Sequence, residues 1–381
     1  MNILIVSHHG LYKSLDTSFV HAQAMAYAEG GHNVRVLVLV ALGKRAWDQG
    51  RVCAKRFVTD KVEIFPVRFI SFSKYGTRRL NTVTAKLAVA SKLGYLTDGF
   101  PIDIIHAHTF GFDSKIGIYL KEQLKVPLVV TTHGDDTSVP FEKGQICNLK
   151  DDYDQVDTIV AVSSSLANMV QSSGTGTQIR VILNGFRCNN LPCNIERIPG
   201  SIIQVGQLNH QKRFSVTIDG FSKINALYPN TTLTLIGDGE DRALLEKQCK
   251  ILGIENSVRF MGQISNKTVL KEMSSHQFFV MPSVREGFGI VYLEAMAAGC
   301  ITIGTQGEGI SDFIRNGENG FLIPPDDPNS LKNIIEWCLT HCEEAQKIAR
   351  QGQRDAILQT WEKNAKEMVS LLYSIIGPSD G

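Results

Sequence analysis

The chain has 381 residues, 43% hydrophobic and 20% charged, enough for two globular domains that each bury a core. Net charge is +1, but residues 1–100 carry 14 Lys/Arg against 6 Asp/Glu, a local balance of +8 that suits an anionic surface. No apolar run approaches the ~20 residues that span a bilayer, which excludes a helical membrane protein.

The opening Met-Asn-Ile-Leu-Ile-Val-Ser reads as a first strand rather than a signal peptide, so a cytoplasmic protein is expected. The eight cysteines are dispersed. The closest pairs, Cys188/Cys193 and Cys338/Cys342, lack CxxC or zinc spacing; Cys338 and Cys342 fit one helix face, and the cysteines read as reduced, mostly structural thiols.

In chain order, β-rich runs at 3–6, 34–40, 62–67, 102–106, 128–132, 158–162 and 179–183 alternate with amphipathic runs at 19–28, 77–93, 114–124 and 163–172. A second series has strands at 202–206, 232–236, 258–261, 278–281, 301–303 and 320–323. Its helices fall at 216–227, 242–252, 267–275 and 331–341. The stretch 185–200, rich in Asn, Cys and Pro, separates the two series as a linker. Continuous apolar strands alternating with helices predict α/β architecture: two doubly wound, Rossmann-like domains, 1–190 and 198–360, with ligands beyond the carboxyl ends of the strands. Two such edges facing each other would make an interdomain cleft.

The most informative run follows the strand at 278–281: Pro282-Ser-Val-Arg-Glu-Gly-Phe-Gly289, then a helix from Ile290 to Ala298 closed by Gly299. Gly287 and Gly289 around Phe288 permit a sharp turn and close ligand approach. The amides at Phe288, Gly289, Ile290 and Val291 open a helix whose positive end suits an anion. Glu286 and Glu294 flank this seat; were all eight steps helical they would lie ~12 Å apart, beyond the roughly 5–9.5 Å of a glycosidase pair. Such a spacing fits acids holding hydroxyls at opposite ends of a molecule with phosphate between them. A capped helix with two incidental acids is the plain alternative.

This run resembles the donor motif of retaining glycosyltransferases of family 4 (glycosyl transferases group 1), which have the GT-B fold. The similarity extends over nearly the whole chain. It implies that Glu294 holds the donor ribose, Glu286 the sugar hydroxyls and Lys212 the diphosphate. Where the family has Gly-Arg-Leu before that lysine, this chain has Gly206-Gln207-Leu208. Gln207 donates hydrogen bonds but carries no charge, leaving Arg213 or His210 to compensate. The segment Phe260-Met261-Gly262 resembles the base-contacting strand end, Gly237-Asp-Gly239 a family turn, and Thr305-Gln-Gly-Glu-Gly309 and Asn319-Gly-Phe-Leu322 further family loops.

In the N-terminal series, Ser7-His-His-Gly10 follows the first strand, with Gly10 as its only glycine, and leads to Ser18-Phe-Val-His-Ala-Gln23. Gly30-Gly31-His32 reads as a helix C-cap turn. Alternation puts His106 and His108 on one strand face, with His108 past the strand end. The resemblance places His108 beside the donor sugar and His133-Gly134-Asp135 at the acceptor and sugar; the acids Asp135-Asp136 also read as a solvated turn. The helix at 361–376 is expected, by resemblance, to cross back onto the N-terminal domain.

Residues 64–97 hold Arg68, Lys74, Arg78, Arg79, Lys86 and Lys92 without one acid. Peripheral contact with the inner membrane face and a plain solvated helix face stand side by side. Nucleic acid is not expected, since no nucleic-acid module accompanies the charge. The whole implies transfer of a sugar from a nucleotide-diphosphate sugar, UDP-sugar first, to a hydroxyl of a glycan or lipid-linked acceptor. No metal or other cofactor is expected, and the family's front-side mechanism gives the acceptor's proton to the leaving phosphate. A nucleotide-sugar 2-epimerase and a non-catalytic sugar-binding protein are the alternatives.

Overall fold

The computed structural model describes residues 1–8, 19–42, 56–59, 61–72, 78–187 and 195–377. The chain forms two compact units, Met1–Leu183 with the C-terminal helix, and Asn184–Thr360.

Unit 1 is built on strands β1 (Asn2–Ser7), β2 (Asn33–Leu42), β3 (Phe57–Thr59), β4 (Val62–Ile70), β5 (Ile104–His108), β6 (Leu128–Thr132), β7 (Thr158–Ala161) and β8 (Gln178–Val181). They are ordered β3-β4-β2-β1-β5-β6-β7-β8, all parallel except β3, which pairs antiparallel with β4. Its helices are α1 (Phe19–Glu29), α2 (Arg78–Ala90), α3 (Leu93–Thr97), α4 (Phe112–Leu124), α5 (Asp135–Glu142), α6 (Lys150–Asp154) and α7 (Ser164–Gln171). The central strands are continuous apolar runs because both faces are covered: Ile3 to Val6 and Val129 to Val130 are fully buried.

Unit 2 has β9 (Ile198–Val205), β10 (Thr232–Ile236), β11 (Val258–Gly262), β12 (His276–Val280), β13 (Ile301–Thr305) and β14 (Phe321–Ile323), parallel throughout in the order β11-β10-β9-β12-β13-β14. Around it lie α8 (Phe214–Leu227), α9 (Arg242–Ile251), α10 (Asn266–Ser275), α11 (Ile290–Ala297), α12 (Pro328–Thr340) and α13 (Cys342–Leu358). In both sheets the winding direction reverses once, between β1 and β5 and between β9 and β12. In doubly wound folds the carboxyl edge at such a reversal is where ligands sit.

Several expectations shift. Strand β5 starts two residues later than expected; just before it Asp103 is tied to β1, its amide donating to the Asn2 carbonyl at 3.0 Å and its carboxylate accepting the Asn2 amide at 2.6 Å. His108 is therefore the last strand residue rather than a loop residue. The helix expected over 77–93 breaks at Ser91–Lys92 and resumes as α3. Cys338 and Cys342 do not share a helix: the chain turns at His341, leaving Cys338 buried in α12 and Cys342 exposed at the start of α13. Gly31, at φ 88°, ends α1 with His32 N–H donating to the Tyr27 carbonyl at 3.1 Å, the C-cap expected there.

The final helix, α14 (Trp361–Ile376), belongs to unit 1. Buried Gln23 of α1 donates to Asn364 Oδ1 at 2.6 Å, and Asn364 Nδ2 donates to the Leu183 carbonyl at 2.8 Å. Asn364→Leu strands both partners in an apolar setting. It is expected to lower stability by about 1–3 kcal/mol in urea unfolding, and an unchanged midpoint would show that the clasp contributes nothing.

Candidate functional site

In unit 2 the loops leaving β9 and β12, the strands on either side of the reversal, are bound to each other. Val284 N–H donates to the Gln211 carbonyl at 2.9 Å, and Lys212 Nζ pairs with Glu286 Oε2. Lys212 is held from behind: buried Gln204 donates to its carbonyl at 2.7 Å, Asn209 Oδ1 accepts its amide at 3.2 Å, and its aliphatic stem lies over Gly206. Gln207 is exposed. Arg213 is engaged elsewhere, with Asp326, and Arg285 rather than Arg213 contacts the His210 ring.

Glycines let the surrounding backbone close in. A Cβ on Gly237 would stand 1.8 Å from the Gly206 carbonyl oxygen, and one on Gly309 would stand 2.0 Å from that of Gly287. No side chain fits at either place, so these two glycines seat the loops rather than bind anions themselves. Glu286 is fixed at both backbone ends: its amide donates to the Glu308 carboxylate at 2.9 Å, and its carbonyl accepts from Gly309 N–H at 3.2 Å. Glu308 is a residue that the sequence reading passed over, although the loop that carries it was singled out.

Helix α11 starts at Ile290, capped by Gly289 at φ 76°, so only the steps from Ile290 to Glu294 are helical. The ~12 Å estimate for Glu286–Glu294 therefore rests on a geometry that the loop does not have. The two acids differ instead in surroundings. Glu286 faces Lys212, while Glu294 lies near Asn266 of α10, and burial pushes its carboxyl above the usual range. Phe288 is buried beneath the loop, and Tyr292 donates to the Met281 carbonyl, locking α11 to the end of β12. Met261 and Gly262 end β11 on the same edge, where the Gly262 carbonyl accepts from Gly237 N–H at 3.0 Å. Ile290 and Val291 are half-buried in the first turn of α11.

In unit 1 the carboxyl edge gathers histidines. His106 and His108 share a face, their rings 4.4 Å apart, and both are fully buried. His106 bonds Thr131 Oγ1 at 2.7 Å, and burial pushes its pKa down to about 3, so it is a neutral structural residue. His108 Nδ1 meets His133 Nε2 at 3.0 Å, and Phe19 lies 4.3 Å from the His133 ring. The acids Asp135 and Asp136 divide. Asp135 is exposed in the first turn of α5, whereas Asp136 turns inward and accepts the amides of Phe110, His133 and Gly134 at 2.9, 3.2 and 3.0 Å. Asp136 thus sets the His133–Gly134 turn, which adjacent acids in sequence do not reveal. Gly10 lies outside the described residues. Among the described residues, no group of three His, Cys, Asp or Glu is placed to hold a metal ion.

Comparison with known proteins bears on the family and the fold. The family described as Glycosyl transferases group 1 matches residues 196–355, and Glycosyltransferase Family 4 matches residues 17–190. N-acetyl-alpha-D-glucosaminyl L-malate synthase of Bacillus anthracis is 27% identical over 307 residues, 76% of this chain and 79% of that protein. Among solved structures, Anabaena HepE in complex with UDP and glucose superposes with a TM-score of 0.72 at 19% identity, covering 98% of this chain and 99% of that one. Sucrose-phosphate synthase from Thermosynechococcus elongatus gives 0.76 at 18% identity over 97% of both chains. The two parallel α/β units are those of a GT-B glycosyltransferase. Specifically, the chain belongs to the group 1 glycosyltransferases of the family 4 type.

Gly309→Ala forces the Gly287 carbonyl aside and so displaces the loop that carries Glu286. We expect about a tenfold or greater loss of nucleotide affinity by calorimetry, equivalent to ~1.4 kcal/mol, with native circular dichroism. Unimpaired binding would mean that the loop seat does not shape the site.

Proposed function

We propose that the chain transfers a sugar, with retention of configuration, from a UDP-sugar to a hydroxyl of a glycan or lipid-linked acceptor in glycoconjugate assembly. The observation that carries the donor half is the convergence of Lys212 and Glu286 at the reversal point of the unit 2 sheet, beside the free amides of α11. A diphosphate competes with Glu286 for the Lys212 ammonium. Binding therefore frees the carboxylate to accept sugar hydroxyls while the amides of Phe288, Gly289, Ile290 and Val291 and the helix dipole take the phosphates. Gln207 adds a neutral donor to the same group. Glu294, on the inner side of α11, takes the ribose hydroxyls, and the strand end at Met261 takes the base.

In this reading Lys212, amides and dipole stabilise the leaving diphosphate, so the transfer needs no metal. His108 is assigned to the transferred sugar and His133, Gly134 and Asp135 to the acceptor and sugar. Gly10 is assigned to the same loop cluster by sequence alone. Thermal shift against UDP- and GDP-sugars identifies the donor, because a bound ligand stabilises by mass action. Lys212→Ala and Glu294→Ala should each weaken nucleotide binding about tenfold to a hundredfold, the ~1.5–3 kcal/mol of a charge-assisted hydrogen bond. Glu286→Ala should chiefly lower turnover. Full transfer activity in all three variants contradicts the assignment, as does an inverted anomeric proton in the product's NMR spectrum.

The same proposal seats unit 1 on an anionic membrane face. On α2, Leu80, Val83 and Leu87 form a stripe at helical spacing, exposed by 53, 53 and 65%, while Ala85 and Val89 turn inward. Exposed Ile70 and Phe72 adjoin it, tied through Thr84 Oγ1 to the Ile70 carbonyl at 2.7 Å and through the Phe72 amide to Asn81 at 2.8 Å. Arg68 and Lys92 supply exposed positive charge around these residues. None of the described helices is long and apolar enough to cross a membrane. The chain should sediment with phosphatidylglycerol-containing vesicles in a salt-sensitive manner, and Leu87→Glu should reduce this. Equal sedimentation with pure phosphatidylcholine would remove the electrostatic part of the proposal.

A further inference from the structure

Strand β9 places a polar side chain where its neighbours are apolar. Ile202 and Gln204 alternate onto one face, and Ile202 shares a buried cluster with Phe214, Ile218 and Phe221 of α8. Gln204 is fully buried, in register with Leu235 of β10. Its Nε2 donates to the Lys212 carbonyl at 2.7 Å, while its Oε1 is buried with no hydrogen-bond partner in the protein. A buried amide bonded at one end only costs stability that an aliphatic side chain would not. Among the described residues, the group that this side chain holds is the Lys212 carbonyl.

The same strand grips Lys212 a second time. Gly206 follows on the same side by alternation, and a Cβ there would stand 3.5 Å from Lys212 Cγ and Cδ, so the lysine stem lies flat on the glycine. Neighbours close the rest of the turn. Asn209 Oδ1 accepts the Lys212 amide at 3.2 Å, and Arg213 Nη1 donates to the His210 carbonyl at 2.8 Å. Arg213 does so at φ 50°, a left-handed backbone that costs a non-glycine residue energy, and its guanidinium is anchored to Asp326. Carbonyl, amide and stem of Lys212 are each held, and its ammonium reaches Glu286.

Resting on the donor reading above, we propose that Gln204 is a positioning residue for the nucleoside diphosphate. It fixes the Lys212 backbone, so that the ammonium passes from Glu286 to the diphosphate by side-chain rotation alone. Gln204 lies beneath the turn, touches no ligand and acts through the Lys212 carbonyl. The placement of this lysine counts for more here because Gln207 brings no charge and Arg213 is engaged by Asp326. A lysine ammonium is a point charge on a flexible four-carbon stem. On a loose backbone, both stem and turn would have to be ordered each time the diphosphate bound, which weakens binding; a turn fixed beforehand removes that cost.

A side chain acting in this way affects the phosphates and not the base or ribose, and only while Lys212 is present. Damage to the unit 2 fold in general would instead weaken every part of the nucleotide's binding, whatever residue stands at 212.

The test uses the full chain with UDP and uridine, or with GDP and guanosine where thermal shift selects guanine. Gln204→Leu should weaken diphosphate binding about tenfold by calorimetry, equivalent to ~1.4 kcal/mol. Nucleoside binding, followed by NMR titration, should stay within about twofold of the parent. Lys212→Ala should also lose diphosphate affinity, and adding Gln204→Leu to it should change nothing further. Parental diphosphate affinity in Gln204→Leu, an equal loss for the nucleoside, or an additive loss in the double variant overturns the proposal. Should Gln204→Leu fail to fold, Gln204→Met keeps the length of the side chain without its polar ends and takes its place in every comparison. Lys212→Ala binding the diphosphate as the parent does overturns the donor reading itself, and this role with it. Loss in Lys212→Ala beside full affinity in Gln204→Leu overturns the role of Gln204 alone.

Discussion

Both units depend on one constraint: their strands run parallel, apart from the short edge strand β3. Parallel strands send every outgoing loop to the same edge, and one reversal in strand order brings two of those loops side by side. Lys212 meets Glu286 because β9 and β12 flank the reversal in unit 2. His8 meets Asp113 because β1 and β5 flank the reversal in unit 1. Neither pair is close in sequence, at separations of 74 and 105 residues, yet each follows from the winding order.

Around those meeting points the backbone is compressed. The 206–208 and 237–239 segments touch main chain to main chain, as do 287 and 309, which is possible only without side chains. Several polar groups there are bonded within their own unit: Glu308 to the Glu286 amide, Asp136 to three amides, Tyr292 to a carbonyl. Buried polar groups that are bonded hold a geometry firmly, so the fold itself sets the Glu286 loop and the His133–Gly134 turn.

How legible was this in the sequence? The apolar strands and the Pro282–Gly299 run state the fold openly, because buried parallel strands and helix termini have strong local signatures. What escaped depends on partners far along the chain. Asp136 resembles its exposed neighbour Asp135 until the turn at Gly134 points it inward. Glu308 gains meaning only when β13 delivers it to Glu286, and Asp113 lies just ahead of the helix expected over 114–124. The ~12 Å spacing of Glu286 and Glu294 is conditional on a continuous helix, and the helix begins four residues after Glu286, so a helical rise does not measure the loop.

The clasp between Gln23, Asn364 and the Leu183 carbonyl bears on how the polypeptide matures during synthesis. Unit 2 is continuous in sequence, so all of its residues emerge from the ribosome before the helix that unit 1 requires. The first unit to be translated is therefore the last to be completed. Until α14 docks, the nascent N-terminal half leaves uncovered the face of α1 that carries Gln23.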